Sequence, residues 1–148
     1  MPSDLETHLG YWLRFVSNHV SHAFSLKLQA RDVTVAEWVV LRELFDLDDI
    51  QPSALADRLG MTRGAISKLS DRLAAKELIE RTASTEDRRQ QTLSLTTAGR
   101  ALVPKLSALA DRNDAEFFGH LKPSERAALE KSLRDIVRRH GLKTTPTE

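Results

Sequence analysis

The chain has 148 residues, a length that predicts one domain with a real buried core rather than two independent ones. With 41% apolar and 29% charged residues its composition is that of an ordinary globular protein, which excludes the collagen-like, disordered and membrane classes. A formal charge of +1 argues neither for nor against a polyanionic partner, and the absence of cysteine excludes disulfides, cysteine-ligated zinc, thiol catalysis and thiol redox switching.

Six glycines and five prolines fall short of average usage, leaving few turn-makers and favouring long helices. The segment from Met1 to Leu9 carries two acids and no basic run, and the longest apolar stretch is Trp38 to Leu41. Neither a secretory signal nor a membrane-spanning helix is therefore expected, and a cytoplasmic location is.

Taken in order, Ser3 and Glu6 have the spacing of a capping box, and Leu5, Leu9, Trp12, Leu13, Val16, Val20, Phe24 and Leu28 follow at helical intervals. That first helix is longer than a small monomer needs, so part of its stripe is predicted to pack on another subunit or a distant helix. A second helix opens at Thr34 with a capping box to Glu37 and runs to Phe45, ended by the acidic Asp46–Asp49. Pro52-Ser53 starts a short third helix that Gly60 terminates. Thr62 caps a fourth helix to about Lys76, and two helices joined by so short a glycine-containing turn make a helix-turn-helix.

From Leu78 the period changes to two. Leu78–Thr82 and Thr92–Thr96 predict a β-hairpin whose long polar loop spans Ala83 to Gln91. Thr96 or Thr97 then caps a fifth helix through Leu102, Leu106, Leu109, Phe117 and Leu121, with a bend expected at Pro104. Lys122-Pro123 opens a last helix with Leu129, Leu133, Ile136 and Val137 as its stripe, and the tail Lys143–Glu148 is expected to fray.

On the fourth helix the face opposite Ile66, Leu69 and Leu73 presents Gly64, Ser67, Lys68 and Asp71, flanked by Arg63 and Arg72. Small and basic residues there suit a helix entering a DNA major groove, where backbone approaches phosphate and donors reach base edges. Gly64 costs about 1 kcal/mol relative to alanine inside a helix, which close approach to DNA or to the third helix would offset. From Arg58 to Arg89 there are eight basic and five acidic residues, whereas the remainder has an acidic excess of two. Single surface cations are ordinarily just solvated. Their gathering on one motif is what points to function.

From Thr34 onward the chain resembles the MarR (multiple antibiotic resistance regulator) family of winged-helix transcription factors. The resemblance is carried by Thr34–Leu41, Leu55-Ala56-Asp57-Arg58-Leu59-Gly60, Lys76–Arg81 and, most specifically, by Asp87–Gly99. The last stretch matches the family's D-x-R, three-residue gap, L-x-L-T-x-x-G pattern. The resemblance implies a mostly α fold with a small β-wing: one domain over 1–148, with a reading lobe at about 34–97 and dimerisation helices at about 3–30 and 97–140. It further implies a homodimer on a pseudo-palindromic double-stranded operator with half-sites ~34 to 36 Å apart. Candidate DNA contacts are Ser53, Thr62, Arg63, Gly64, Ser67, Lys68, Arg72, Asp87, Arg88 and Arg89. By resemblance Arg89, with Arg88 beside it, enters the minor groove, and Asp87 fixes the wing through an ion pair.

The resemblance further implies binding of small, often aromatic or phenolic acids, so the expected regulator is a repressor relieved by such an effector. Trp12, Phe15, His19 and Trp38 are candidates to line its cleft, with Arg14 or Arg42 for the carboxylate; core packing and solvation are the competing readings of those residues. His8, His19 and His22 share a helical face, yet 8 and 19 are about 16 Å apart at 1.5 Å per residue, so no metal and no cofactor is expected. No nucleophile or acid–base arrangement stands out, so no enzyme is expected. The alternative function is a winged helix that meets an acidic protein partner and has no specific DNA target.

Overall fold

In this computed structural model residues 1–83 and 91–147 are described. Helix α1 (Leu9–Gln29) is preceded by one 3-10 turn, Leu5–Thr7. The Ser3–Glu6 capping box does not form. Instead Thr7 Oγ1 donates to the Asp4 carbonyl at 2.6 Å and His8 is extended, so a local side-chain bond closes the turn and the long helix begins only at Leu9.

Helix α2 (Val35–Phe45) has the expected capping box: Thr34 Oγ1 accepts from the Glu37 N–H at 3.1 Å, and Glu37 Oε1 accepts from the Thr34 N–H at 2.9 Å. Helix α3 (Pro52–Leu59) starts on its proline and stops at Gly60, whose φ of +65° is the left-handed conformation that glycine adopts without a Cβ clash. Helix α4 (Arg63–Ala75) follows at once, with Thr62 Oγ1 accepting from the Ala65 N–H. At its end Glu77 takes φ +60° while the Leu78 N–H returns to the Leu73 carbonyl at 3.0 Å, a Schellman turn made without glycine.

Strands β1 (Ile79–Ala83) and β2 (Gln91–Leu95) pair antiparallel, with Ile79 opposite Leu95 and Arg81 opposite Leu93. The wing-loop residues 84–90 lie outside the described residues. On its other edge β2 is bonded by Ile50, which exchanges both backbone hydrogen bonds with Leu93. That second partner, a single residue of the α2–α3 linker, covers an edge that would otherwise stand open.

Helix α5 (Thr97–Phe118) is capped by Thr96 and continues through Pro104, whose missing N–H leaves the Arg100 carbonyl without its usual helical donor. Leu121, expected within this helix, falls instead in the turn before α6 (Pro123–Arg139), because the helix stops at Gly119. The Thr96 hydroxyl both accepts from the Gly99 N–H and donates to the Glu77 carbonyl at 2.8 Å. A Cβ on Gly99 would lie 2.1 Å from the Leu78 carbonyl oxygen, so only glycine lets α5 start against the α4–β1 turn. The T-x-x-G part of the wing signature thus has a physical meaning: it locks the wing base to the helix that leaves it.

One core holds the lobe. Leu28 from α1, Val40, Leu41 and Leu44 from α2, Leu55 from α3, Ile66 and Leu73 from α4, Leu93 from β2 and Val103 and Leu106 from α5 are fully buried together. Each such side chain contributes about 1.5 to 3 kcal/mol relative to exposure. The tail does not simply fray, since the Thr145 N–H reaches the Leu59 carbonyl at 3.1 Å and runs the chain end across the α3–α4 turn. No helix among the described residues is long and apolar enough to cross a membrane.

Candidate nucleic-acid interface

The core positions α4 by burying Ile66, Leu69, Ser70 and Leu73, which forces the opposite face outward. Arg63, Gly64, Ser67, Lys68, Asp71 and Arg72 are all exposed, as their spacing predicted, and so is the cap residue Thr62. Arg63 and Lys68 make no ion pair or side-chain hydrogen bond within the described residues, so their charges are free for an incoming group. Ser53, at the second position of α3, is half-buried, and the Thr62 hydroxyl is already committed to its cap. Nothing lies within 4 Å of a Cβ built on Gly64, so packing on α3 is not what that glycine serves.

Two residues of this face are tied back to the protein. Asp71 pairs with Arg81 of β1 at 2.5 Å, joining the exposed helix face to the wing root and neutralising a carboxylate that would repel phosphate. Arg72 leans toward the start of α2, its Nη2 3.3 Å from Glu37 Oε1 and 3.4 Å from Thr34 Oγ1. Asp87, Arg88 and Arg89 fall outside the described residues.

Glu37 is the residue that sequence reasoning missed. Its spacing from Thr34 marks it only as a cap, yet it is fully buried and also meets Lys76, whose Nζ lies 3.1 Å from Oε1 and 3.0 Å from Oε2. Burial pushes its carboxyl upward, but the Thr34 N–H and the Lys76 ammonium outweigh that and hold it below the ordinary carboxylate value. The signal was in the pattern: Glu37 shares the 37, 41, 44 spacing of the buried α2 stripe.

The six effector candidates are spread over α1 and α2. Phe15 stacks on His19 with centroids 5.2 Å apart, and Trp12 and Tyr11 extend the row along the exposed half of α1, where Arg14 is exposed as well. Trp38 packs edge-to-face on Phe24, about 13.5 Å along the helix from Phe15. Arg42 pairs with Asp46 at 2.8 Å and sits over the Phe45 ring, which Arg100 flanks from 5.4 Å. A groove of about 310 Å³ between α2 and α5 is lined by Arg42, Phe45, Pro104, Ser107 and Asp111 among others. No group of three or more metal-ligating side chains occurs among the described residues.

Comparison with known proteins agrees with this arrangement. The MarR family profile matches residues 33–90. A putative transcriptional regulatory protein for the hcr operon of Thauera aromatica is 30% identical over 115 residues, 74% of this chain and 69% of its own length. A mutant of Escherichia coli MarR solved in complex with operator DNA superposes with a TM-score of 0.79 at 29% identity, covering 91% of this chain and 99% of that one. The Bordetella bronchiseptica regulator BpsR, whose DNA binding is regulated by 6-hydroxynicotinic acid, gives 0.79 at 26% identity, covering 92% and 97%. Residue pattern, winged-helix architecture and relatives converge: this chain belongs to the MarR family of transcriptional regulators.

Proposed function

We propose that the chain is a cytoplasmic, homodimeric repressor that binds a pseudo-palindromic double-stranded operator and releases it on binding a small aromatic acid. The observation that carries the DNA reading is the exposed α4 face, on which Arg63 and Lys68 stand unpaired beside a glycine that no protein contact requires. A relative solved with operator DNA supports it. In this reading Ser53, Thr62, Arg63, Gly64, Ser67, Lys68 and Arg72 face the major groove and its phosphates, and Asp87, Arg88 and Arg89 act at the wing.

Dimerisation would run through residues 3–30 and 97–140, leaving 34–97 as the reading lobe. Leu9, Trp12, Leu13, Phe15 and Val16 on α1 and Leu129, Leu133, Ile136 and Val137 on α6 are exposed apolar side chains, more than a monomer leaves open. The effector part rests on the exposed aromatic row of α1 with Arg14, on Arg42, and on the ligand-regulated relative. Without cysteine, regulation by ligand rather than thiol oxidation is the chemistry left to the chain.

Selection of bound fragments from sheared genomic DNA tests the reading. A palindromic consensus is the expected result. Lys68→Ala should then change base preference by about 1 to 3 kcal/mol, and Arg89→Ala should weaken all duplexes alike and flatten the salt dependence. No enrichment of any duplex at low salt would sink the proposal in favour of a protein-interaction module.

A further inference from the structure

The junction between α4 and α2 is built around a carboxylate that water does not reach. Glu37 is 0% exposed, and its Oε1 accepts from the Thr34 N–H at 2.9 Å and from Lys76 Nζ at 3.1 Å. Oε2 has only the Lys76 ion pair at 3.0 Å, without a hydrogen bond of its own. Arg72 Nη2 approaches Oε1 at 3.3 Å from the outside, and Lys76 also donates to the Asp32 carbonyl at 2.6 Å. Asp32 itself holds φ +58° in the α1–α2 corner.

A buried ion pair is a weak source of stability, because desolvation cancels most of the attraction and an apolar side chain of similar volume does as well. What it adds is direction. Arg72 and Lys76 are one turn apart on α4, so two points on that helix are referred to a single carboxylate in the first turn of α2. Such a two-point reference fixes the rotation of α4 about its own axis. A rotation of ~20° moves a group on the helix surface by about 2 Å, enough to break a hydrogen bond to a base edge.

We propose that Glu37 is a positioning residue for DNA reading: through Arg72 and Lys76 it sets the axial rotation of α4, and with it which base edges Arg63 and Lys68 reach. The inference rests on the DNA-binding reading above. Lys76 spans both carboxylate oxygens and is the inner partner, largely shielded. Arg72 is half exposed and is the outer one, its remaining guanidinium nitrogens open to a phosphate oxygen while Nη2 stays beside Glu37.

The test is Glu37→Gln in the full chain. It preserves shape and leaves an amide oxygen to accept from the Thr34 N–H. Affinities for the selected operator and for a random duplex of equal length are measured across salt, and amide hydrogen exchange is followed without DNA. The operator-to-random ratio should fall at least ten-fold while random-duplex affinity holds or rises, because two cations have lost their internal anion. Exchange of the amides from Leu73 to Leu78 should quicken about ten-fold with α5 unchanged.

A second variant keeps the test sharp if Glu37→Gln folds poorly. Arg72→Gln removes the outer reference point but leaves the Lys76–Glu37 pair in place, so it should lower the operator-to-random ratio by a smaller factor than Glu37→Gln, beyond the loss both duplexes share. An unchanged ratio in folded Glu37→Gln, or an equal loss on both duplexes, would overturn the proposal. So would unaltered exchange at the end of α4. Absence of any duplex preference in the unsubstituted protein is a failure of the DNA reading, whereas the exchange result judges the clamp by itself.

Discussion

The stripes of α2 and of α6 are written in the same apolar spacing and end in opposite surroundings. Val40, Leu41 and Leu44 of α2 are fully buried within one chain, but Leu129, Leu133, Ile136 and Val137 of α6 are each 40% exposed or more, and α6 buries none of its residues. Helix α1 contains both situations in one element: Leu28 is sealed in the core, and Leu9, Trp12 and Val16 stand open. Periodicity therefore announces that a face will be covered and leaves open what covers it. Between α5 and α6 the open face forms a groove of about 460 Å³, lined by Phe118, Leu121, Leu129, Leu133 and Val137 with arginines at its rim. An apolar floor with a charged rim has the anatomy of an interface.

The contrast can be broken most sharply by placing a charge on each side of it. Leu133→Asp on α6 should leave the lobe folded and yield a monomer by sedimentation. Operator affinity should drop ~100-fold or more, since the second lobe no longer binds at a high effective concentration. Leu44→Ala in the lobe should act the other way round. It costs about 2 to 5 kcal/mol of unfolding free energy through the cavity left behind, and that cost should not depend on protein concentration. A Leu133→Asp protein that remains dimeric would move the interface off α6.

Acid sharpens a second difference between the regions, because the lobe holds a buried carboxylate whereas no residue of α6 is buried. With its carboxyl held below the ordinary value, Glu37 contributes stability that is fully present above an unfolded-state pKa of about 4.3 and is lost as pH falls through the folded value. Glu37→Gln lacks this contribution. The stability gap between the two proteins should thus be constant near neutrality and close below about pH 4.3 in denaturant titrations. A gap that stays level to pH 3 would mean that the carboxyl is not held down in the folded state.

How much of this was legible follows from where the forces are local. The Thr34, Thr62 and Thr96 caps and the stop at Gly60 lie within a few residues of the helix ends they govern, and those boundaries agree with expectation to within a residue. The failed cap at Ser3 shows the limit of the rule, for Thr7 supplied a competing local bond that the spacing did not reveal. Long-range relations were hidden for a different reason. Ile50 joining β2 and Lys76 reaching Glu37 across 39 positions depend on the finished packing, which no window of sequence contains, and Arg81 meets Asp71, ten positions back, only once the α4–β1 turn has formed. The exposed face of α4 was readable because it is the complement of a strong buried stripe.

The smallest effect tests what that exposed face is for. Gly64 lies in the first turn of α4 with open space around it, and an alanine there meets nothing within 4 Å. On helix propensity alone Gly64→Ala should stabilise the protein by at most about 1 kcal/mol, the helix-interior difference, seen as a higher denaturation midpoint at unchanged slope. If the glycine exists to let backbone approach phosphate, the same methyl group should weaken operator binding several-fold despite the gain in stability. Gain and loss in one variant separate packing from function, because a merely structural glycine yields only the first. A stabilised Gly64→Ala protein that binds its operator with undiminished affinity would place the close approach elsewhere on the lobe, with the half-buried Ser53 on α3 as the next residue to substitute.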